Sequence, residues 1–376
     1  MKNFVIHFIA GARPNFMKIA PIVQTIQRDT EQYPKSERNL QFDIVHTGQH
    51  YDNNMSEIFF NDLGIPEPRY NLEVGSGTHA EQTARIMIEY EKVLIEDRPE
   101  LVIVVGDVNS TIACSLTARK MGISVGHVEA GLRSFDMDMP EEINRILTDR
   151  ISDLLFVTEE SGVRNLLGEG IEEGKIHFVG NVMIDTLLKH LDELDSGKYE
   201  PKDQIVNFTD RNDKYAVLTL HRPSNVDNRD TFEKIWEALT EISGDIPILF
   251  PAHPRTKSRI EEFKVTTNRI TTIDPIGYMD MLHTVRGATL VLTDSGGLQE
   301  ETTVLGVPCI TIRENTERPS TIEIGTNYLV GTDPERILSV ARQILDGNAK
   351  KGKVPPLWDG KAAERIVDVI LDYLNK

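Results

Sequence analysis

Residues 127–145 read HVEAGLRSFDMDMPEEINR and hold five carboxylates (Glu129, Asp136, Asp138, Glu141, Glu142), two arginines (Arg133, Arg145) and a histidine, His127. Carboxylates set beside arginines can move protons, and the cation tunes how tightly each proton is held. The same composition also fits a solvated acidic loop, so the rest of the chain has to decide. Pro140 suits the first position of a helix, which sets Glu141 and Arg145 at i, i+4 on one face. A surface ion pair would have that spacing too.

Several other stretches carry chemistry. In TDSGGLQEE (293–301) the paired glycines, the Ser295 hydroxyl and the N–H groups of a helix start form a cradle suited to phosphate. Glu301, about two turns into that helix, can accept bonds from ribose hydroxyls. The plainer reading is a glycine turn with an Asp/Ser cap. GARPNFMK (11–18) puts Arg13 after an apolar run, Pro14 at a helix start and Lys18 on the early helix, so two cations join a positive helix end in recruiting an anion. HRPSN (221–225) and PAHPR (251–255) place His221 and His253 at the ends of apolar runs, and RENTERPSTIEIGTN (313–327) is a long polar loop offering Arg313 and Arg318 to phosphate oxygens. In GDVNST (106–111) Asp107 is either a helix cap or a working acid. A metal reading is weak, because no two of these histidines stand at i, i+4 and no cysteine accompanies them. GSGTHA (75–80) matches the dinucleotide fingerprint in form, yet it is remote from the first apolar run and the next strand ends in Asp107 rather than offering its acid about twenty residues on; it reads as the loop before a helix.

The elements that must position these residues are short apolar runs alternating with longer helical patterns, the mark of parallel α/β units. Strands are expected at 4–10, 42–48, 101–107, 124–130, 154–158 and 176–180, then at 216–221, 246–253, 270–274, 289–294 and 308–313. Open parallel sheets bind ligands at the carboxyl ends of their strands. Here those ends carry Arg13, His50, Asp107, Glu129, His221, His253, Asp294 with Ser295, and Arg313. Any one of them is an ordinary loop residue; so many at one kind of position point to a site.

A chain of 376 residues suits two domains, with the boundary expected near 181–186. The net charge of −18 argues against a nucleic-acid or anionic-membrane partner, so cations for any bound anion must be concentrated locally. Cys114 and Cys309 lie far apart in apolar runs, which favours buried free thiols over a disulfide. No apolar stretch approaches the ~20 residues of a membrane span, and the opening MKNFVIHFIAGARP is broken by His7 and reads as a first strand rather than a signal peptide. A cytoplasmic protein is expected.

Taken in order, GARPNFMK, TGQH, GDVNST, HVEAGLRS, PEEINR, LHRPSN, TDSGGLQEE and RENTERP closely resemble the non-hydrolysing UDP-N-acetylglucosamine 2-epimerases over almost the whole chain. The resemblance implies an α/β protein of the GT-B fold, with two Rossmann-like domains whose parallel sheets face a central cleft: residues 1–182, residues 183–361, and a final helix, 362–376, returning to the first domain. It implies reversible epimerisation at C2 of UDP-GlcNAc to UDP-ManNAc, by elimination of UDP to 2-acetamidoglucal and re-addition, without NAD or a metal, in a homodimer supplying surface-glycan precursors. Carried over by position, Asp107, Glu129 and Glu141 are the acid/base carboxylates, with Arg145, Lys18 and His221 completing the catalytic group. Arg13, His253, Ser295, Gly296, Gly297, Glu301 and Arg313 fall at UDP-binding positions, and His221 also lies near phosphate. Asp136, Asp138 and Glu142 are then expected to stay solvated or to cap the helix. The loop SFDMDM and the Tyr51 and Asp52 that follow TGQH depart from the enterobacterial pattern, so an epimerase of a modified sugar such as UDP-2,3-diacetamido-glucuronic acid is an alternative, and a GT-B glycosyltransferase another.

Overall fold

The computed structural model describes residues 4–32, 40–48, 60 and 63–376. The chain divides into two compact units, Met1–Thr186 with Pro356–Lys376, and Leu187–Pro355.

The first unit holds strands β1 (Phe4–Ala10), β2 (Leu40–His46), β3 (Tyr70–Asn71), β4 (Leu101–Val105), β5 (Ser124–Ala130), β6 (Leu154–Val157) and β7 (Ile176–Phe178), in one seven-stranded parallel sheet ordered β3-β2-β1-β4-β5-β6-β7. Its helices are α1 (Arg13–Gln32), α2 (His79–Glu96), α3 (Asn109–Lys120), α4 (Pro140–Ile151) and α5 (Glu160–Gly168), and α6 (Val182–Asp195) runs through the change of unit. β4, LVIVV, is buried at every residue, as a strand covered on both faces must be. Alternation then sorts its side chains. Leu101, Ile103 and Val105 join Ile6, Phe8 and the α1 residues Phe16, Ile19 and Val23 in one core, while Val102 and Val104 join Ile9, Val45 and Tyr90 in the other.

The second unit holds β8 (Ala216–Thr219), β9 (Ile248–Pro251), β10 (Ile270–Ile273), β11 (Leu290–Thr293), β12 (Cys309–Thr311) and β13 (Asn327–Leu329), again parallel, ordered β10-β9-β8-β11-β12-β13. Its helices are α7 (Asp203–Thr209), α8 (Pro223–Val226), α9 (Arg229–Asp245), α10 (Pro254–Phe263), α11 (Tyr278–Arg286), α12 (Gly296–Leu305), α13 (Pro319–Glu323) and α14 (Pro334–Leu345). The last helix, α15 (Ala362–Leu374), buries Ala363, Ile366, Val367 and Ile370 in the core shared with α1. Asp185 accepts the N–H groups of Ala362 (3.1 Å) and Ala363 (2.7 Å) that open it.

Both sheets are doubly wound. Strand order reverses between β1 and β4 and between β8 and β11, which is where such sheets bind ligands. The stretch 313–327, expected as a loop, contains α13 with Ser320 and Thr321 buried, and β13 is a strand the apolar pattern did not signal, because Asn327-Tyr328-Leu329 is too short to show alternation. GSGTHA leads into α2 through a capping box in which Thr78 and Glu81 exchange bonds. Cys114 and Cys309 are buried free thiols. Among the described residues no helix is long and apolar enough to cross a membrane.

Candidate active site

In the first unit, two carboxylate–cation pairs stand at the carboxyl ends of neighbouring strands. Glu129, near the end of β5, is 4% exposed and receives Lys18 Nζ on Oε2 at 2.6 Å. Its backbone is left-handed, φ 71°, where the register between β5 and β6 shifts from Val128 to Ala130. A left-handed glutamate costs about 1–3 kcal/mol and persists where surrounding structure enforces it, often at functional sites. The bulge re-aims the side chain toward Lys18 on α1. Gly106 makes room for this pair: a Cβ there would lie 3.2 Å from Lys18 Nζ and 3.6 Å from Glu129 Oε2, and its own φ is +68°.

Asp107 follows Gly106 and accepts Arg145 Nη1 at 2.6 Å. α3 begins after Val108, whose side chain makes no capping bond. Arg145 is 2% exposed, so no surface ion pair is involved. Its second carboxylate is Glu142, whose Oε2 lies 3.0 Å from Nε and 2.8 Å from Nη2. This corrects two expectations. Glu142, expected in solvent or as a cap, is 1% exposed, and the helical partner of Arg145 is at i, i+3 rather than at Glu141. Glu141, at the second position of α4, is half-buried and has no ion pair among the described residues. Arg13 opens α1 and is exposed. Beneath these pairs, His127 donates from Nε2 to the Gly106 carbonyl (2.8 Å) and faces Asp149 from Nδ1 (2.7 Å), while Asp149 also takes Arg133 (2.8 Å) and the Gly131 N–H (3.0 Å). His50 and the rest of the segment after Gly48 lie outside the described residues.

In the second unit the candidate residues gather at the turn after β8 and the start of α12. Ser295 is the residue before α12 and its hydroxyl makes no capping bond, so the glycine-opened helix end keeps its N–H groups for another acceptor. Gly297 borders open space, whereas a Cβ at Gly296 would press on Arg318 at 3.0 Å. Asp294 is fully buried and gathers the turn after β8: it accepts the N–H groups of His221 (2.9 Å) and Arg222 (2.8 Å) and faces His221 Nδ1 at 3.0 Å. Burial raises its carboxyl, but these bonds outweigh burial and hold it below the usual range. The His221 side chain remains 47% exposed. Glu301, buried on α12, is pushed up to about 7 by burial, against the pull of the Tyr278 hydroxyl and with Glu300 adding to the rise.

Not every candidate stands free for a ligand. Arg313 is buried with Nη2 on Glu317 at 2.8 Å and its Nη1 without a hydrogen-bond partner among the described residues, and Arg318 bonds Glu300 at 2.5 Å and Glu317. His253 is exposed and caps α10 by accepting the Arg255 N–H at 3.3 Å. The cation passed over is Arg222, which lies next to His221 in HRPSN and donates to the Asp294 carbonyl at 3.0 Å. Burial, followed by the charge of Arg313, lowers its hold on a proton, with Glu317 and Asp294 acting the other way. Its neighbour His221 was the signal that could have found it. The one group of metal-ligating side chains among the described residues, His7, Asp43 and Asp97, belongs to none of these clusters, and Arg69 already bridges its two carboxylates at 2.8 and 3.1 Å.

Two doubly wound units of parallel strands and crossover helices place the chain in the GT-B class. The sequence matches the UDP-N-acetylglucosamine 2-epimerase family over residues 33–371. The chain belongs to that family and is an epimerase. It is 46% identical to a UDP-N-acetylglucosamine 2-epimerase of Methanocaldococcus jannaschii over 96% of this chain and 97% of that one. The crystal structure of the Methanocaldococcus jannaschii UDP-GlcNAc 2-epimerase in complex with UDP-GlcNAc and UDP superposes with a TM-score of 0.85 at 45% identity, covering 97% of this chain and 99% of that one. A UDP-2,3-diacetamido-2,3-dideoxy-D-glucuronate 2-epimerase of Pseudomonas aeruginosa is 41% identical, covering 96% of this chain and 98% of that one.

Proposed function

We propose that the protein interconverts UDP-GlcNAc and UDP-ManNAc by eliminating UDP and adding it back. The observation that carries this reading is the placement of two cation-held carboxylates, Asp107 and Glu129, at the ends of adjacent strands. The C2–H bond of the sugar has no carbonyl beside it to acidify the proton. Simple deprotonation is therefore slow, and departure of a good leaving group from C1 has to accompany it. A carboxylate takes the C2 proton, the C2–H electron pair becomes the C1–C2 double bond, and the C1–O pair leaves with UDP. Re-addition reverses these movements, with a proton delivered to the other face of C2. No hydride acceptor or Lewis acid enters this scheme.

Asp107, Glu129 and Glu141 serve as acid and base, Arg145 and Lys18 set the charge beside them, and His221, Ser295, Gly296, Gly297, Arg222 and Arg13 hold the diphosphate, with Glu301 accepting from the ribose. His253 and Arg313 are secondary in this assignment, one as a cap and the other through its pairing with Glu317. A transferase would leave the paired carboxylates without a task. The 41% identity to the diacetamido-glucuronate enzyme supports a second reading, in which the same elimination runs on that modified sugar. Cytoplasmic residence, a homodimer and a role in surface-glycan precursor supply complete the proposal.

The test is incubation in D₂O with each UDP sugar, followed by NMR. Deuterium at C2 of both UDP-GlcNAc and UDP-ManNAc is expected. Exchange confined to the modified sugar supports the second reading, and free ManNAc or unlabelled C2 with tight UDP binding refutes the first.

A further inference from the structure

The buried carboxylate of Glu142 serves two clients. On one side its Oε2 meets Arg145 at Nε (3.0 Å) and Nη2 (2.8 Å). On the other it accepts the Ser134 N–H (3.0 Å) and hydroxyl (3.1 Å) on Oε2 and the Phe135 N–H (2.8 Å) on Oε1. Phe135 is left-handed, φ 59°, with its ring 77% exposed. A bulky residue adopts that backbone at a cost, and the bond from its N–H to a buried carboxylate is what this segment offers in return. Segment 134–139 therefore ends in the same carboxylate that orients Arg145.

Arg145 is in turn divided between two acids of different kinds. Glu142 is 1% exposed and accepts from Arg145, Ser134 and Phe135, whereas the Asp107 side chain is 34% exposed and meets Arg145 Nη1 at 2.6 Å. Because Glu142 absorbs part of the guanidinium charge, Asp107 faces a cation already largely compensated and can take up a proton more readily than beside an undivided arginine. We propose that Glu142 is a positioning residue for the epimerisation: acting through Arg145, it sets the orientation and proton affinity of Asp107 and ties both to the backbone of residues 134–135. This inference rests on Asp107 being an acid/base group of the reaction.

The sign of the effect follows from charge. Glu142→Gln keeps the length of the side chain and removes one negative charge beside Arg145, so the carboxylate form of Asp107 is favoured. The limb of the pH–kcat profile that belongs to Asp107, located by its displacement in Asp107→Glu, moves to lower pH. Glu142→Asp keeps the charge but shortens the reach, so kcat falls while that limb stays in place. In both variants kcat is expected to drop about ten- to a hundredfold, the range of a misoriented acid/base group, with UDP affinity within about threefold of wild type. A purely structural role would lower activity only with the folded fraction and would move no limb.

The experiment measures steady-state epimerisation across pH, UDP binding by calorimetry and deuterium wash-in at C2 for wild type and both variants. Wild-type kcat and an unmoved limb in Glu142→Gln overturn the proposal. If that variant does not fold, Ser134→Ala, which removes a single bond to the Glu142 carboxylate, is expected to cost several-fold in kcat at unchanged UDP affinity, and a wild-type kcat there overturns it instead. Absence of wash-in in the wild-type protein is a different result, which refutes the proposed reaction and not the role of Glu142 alone.

Discussion

Replacing Glu129 separates the chemistry of that residue from the strain of its backbone. Its carboxylate is 4% exposed and bonded to Lys18, whose side chain is 14% exposed, so Glu129→Gln keeps shape and removes the charge. Breaking a buried pair costs about 3–5 kcal/mol, but Lys18 retains an outlet to water, and about 1–3 kcal/mol is the expected loss of stability. Turnover is expected to fall about 10²–10⁴-fold, the range for loss of a positioned acid/base group, while UDP affinity stays within about tenfold, or 1.4 kcal/mol. The backbone gives a second, independent measure. At φ 71° any side chain is strained and glycine is not. Glu129→Gly and Glu129→Ala both delete the carboxylate, so the glycine variant should be the more stable by about 1 kcal/mol, the left-handed penalty less the entropy that glycine gains on unfolding. Urea unfolding supplies the stabilities and C2 deuterium wash-in the chemistry. Wild-type wash-in in Glu129→Gln, or alanine as stable as glycine at this position, would refute the reasoning on the corresponding count.

Gly106→Ala is expected to lower kcat at least tenfold, because the added methyl lies 3.2 Å from Lys18 Nζ and displaces the Lys18–Glu129 pair, and to lower the Tm by several degrees from the about 1–2 kcal/mol cost of a left-handed alanine; kinetics and a thermal scan check both. UDP binding should weaken as pH falls below 7. Burial holds the Glu301 carboxyl up at about 7 in the free protein, a ribose hydroxyl donating to it favours the ionised form, and binding then expels a proton wherever the free carboxyl still carries one. Calorimetry in buffers of different ionisation enthalpy should show proton release near pH 6.5 that disappears in Glu301→Gln; identical release in that variant would assign the proton to another group.

The alternation of short apolar runs and helical patterns was sufficient for two parallel α/β sheets, because a strand covered on both faces must be continuously apolar and its crossovers must be helical. It also placed the acids and cations at strand ends, where Asp107, Glu129 and Ser295 are found. The sequence could not decide which charges pair. Glu141 and Glu142 are adjacent and chemically identical, yet one is half-buried without an ion pair while the other is sealed against Arg145 and the Ser134–Phe135 backbone, a difference set by the direction in which α4 presents each residue. Nor could it show that Arg318 is held by Glu300, since that pairing joins the start of α13 to a residue of α12 eighteen positions earlier. The left-handed Glu129 is likewise a product of the bulge between β5 and β6. Residue type and spacing are local and fix which elements form; the partners of a charge depend on three-dimensional neighbours, and these were decided only once the strands had taken their order in the sheet.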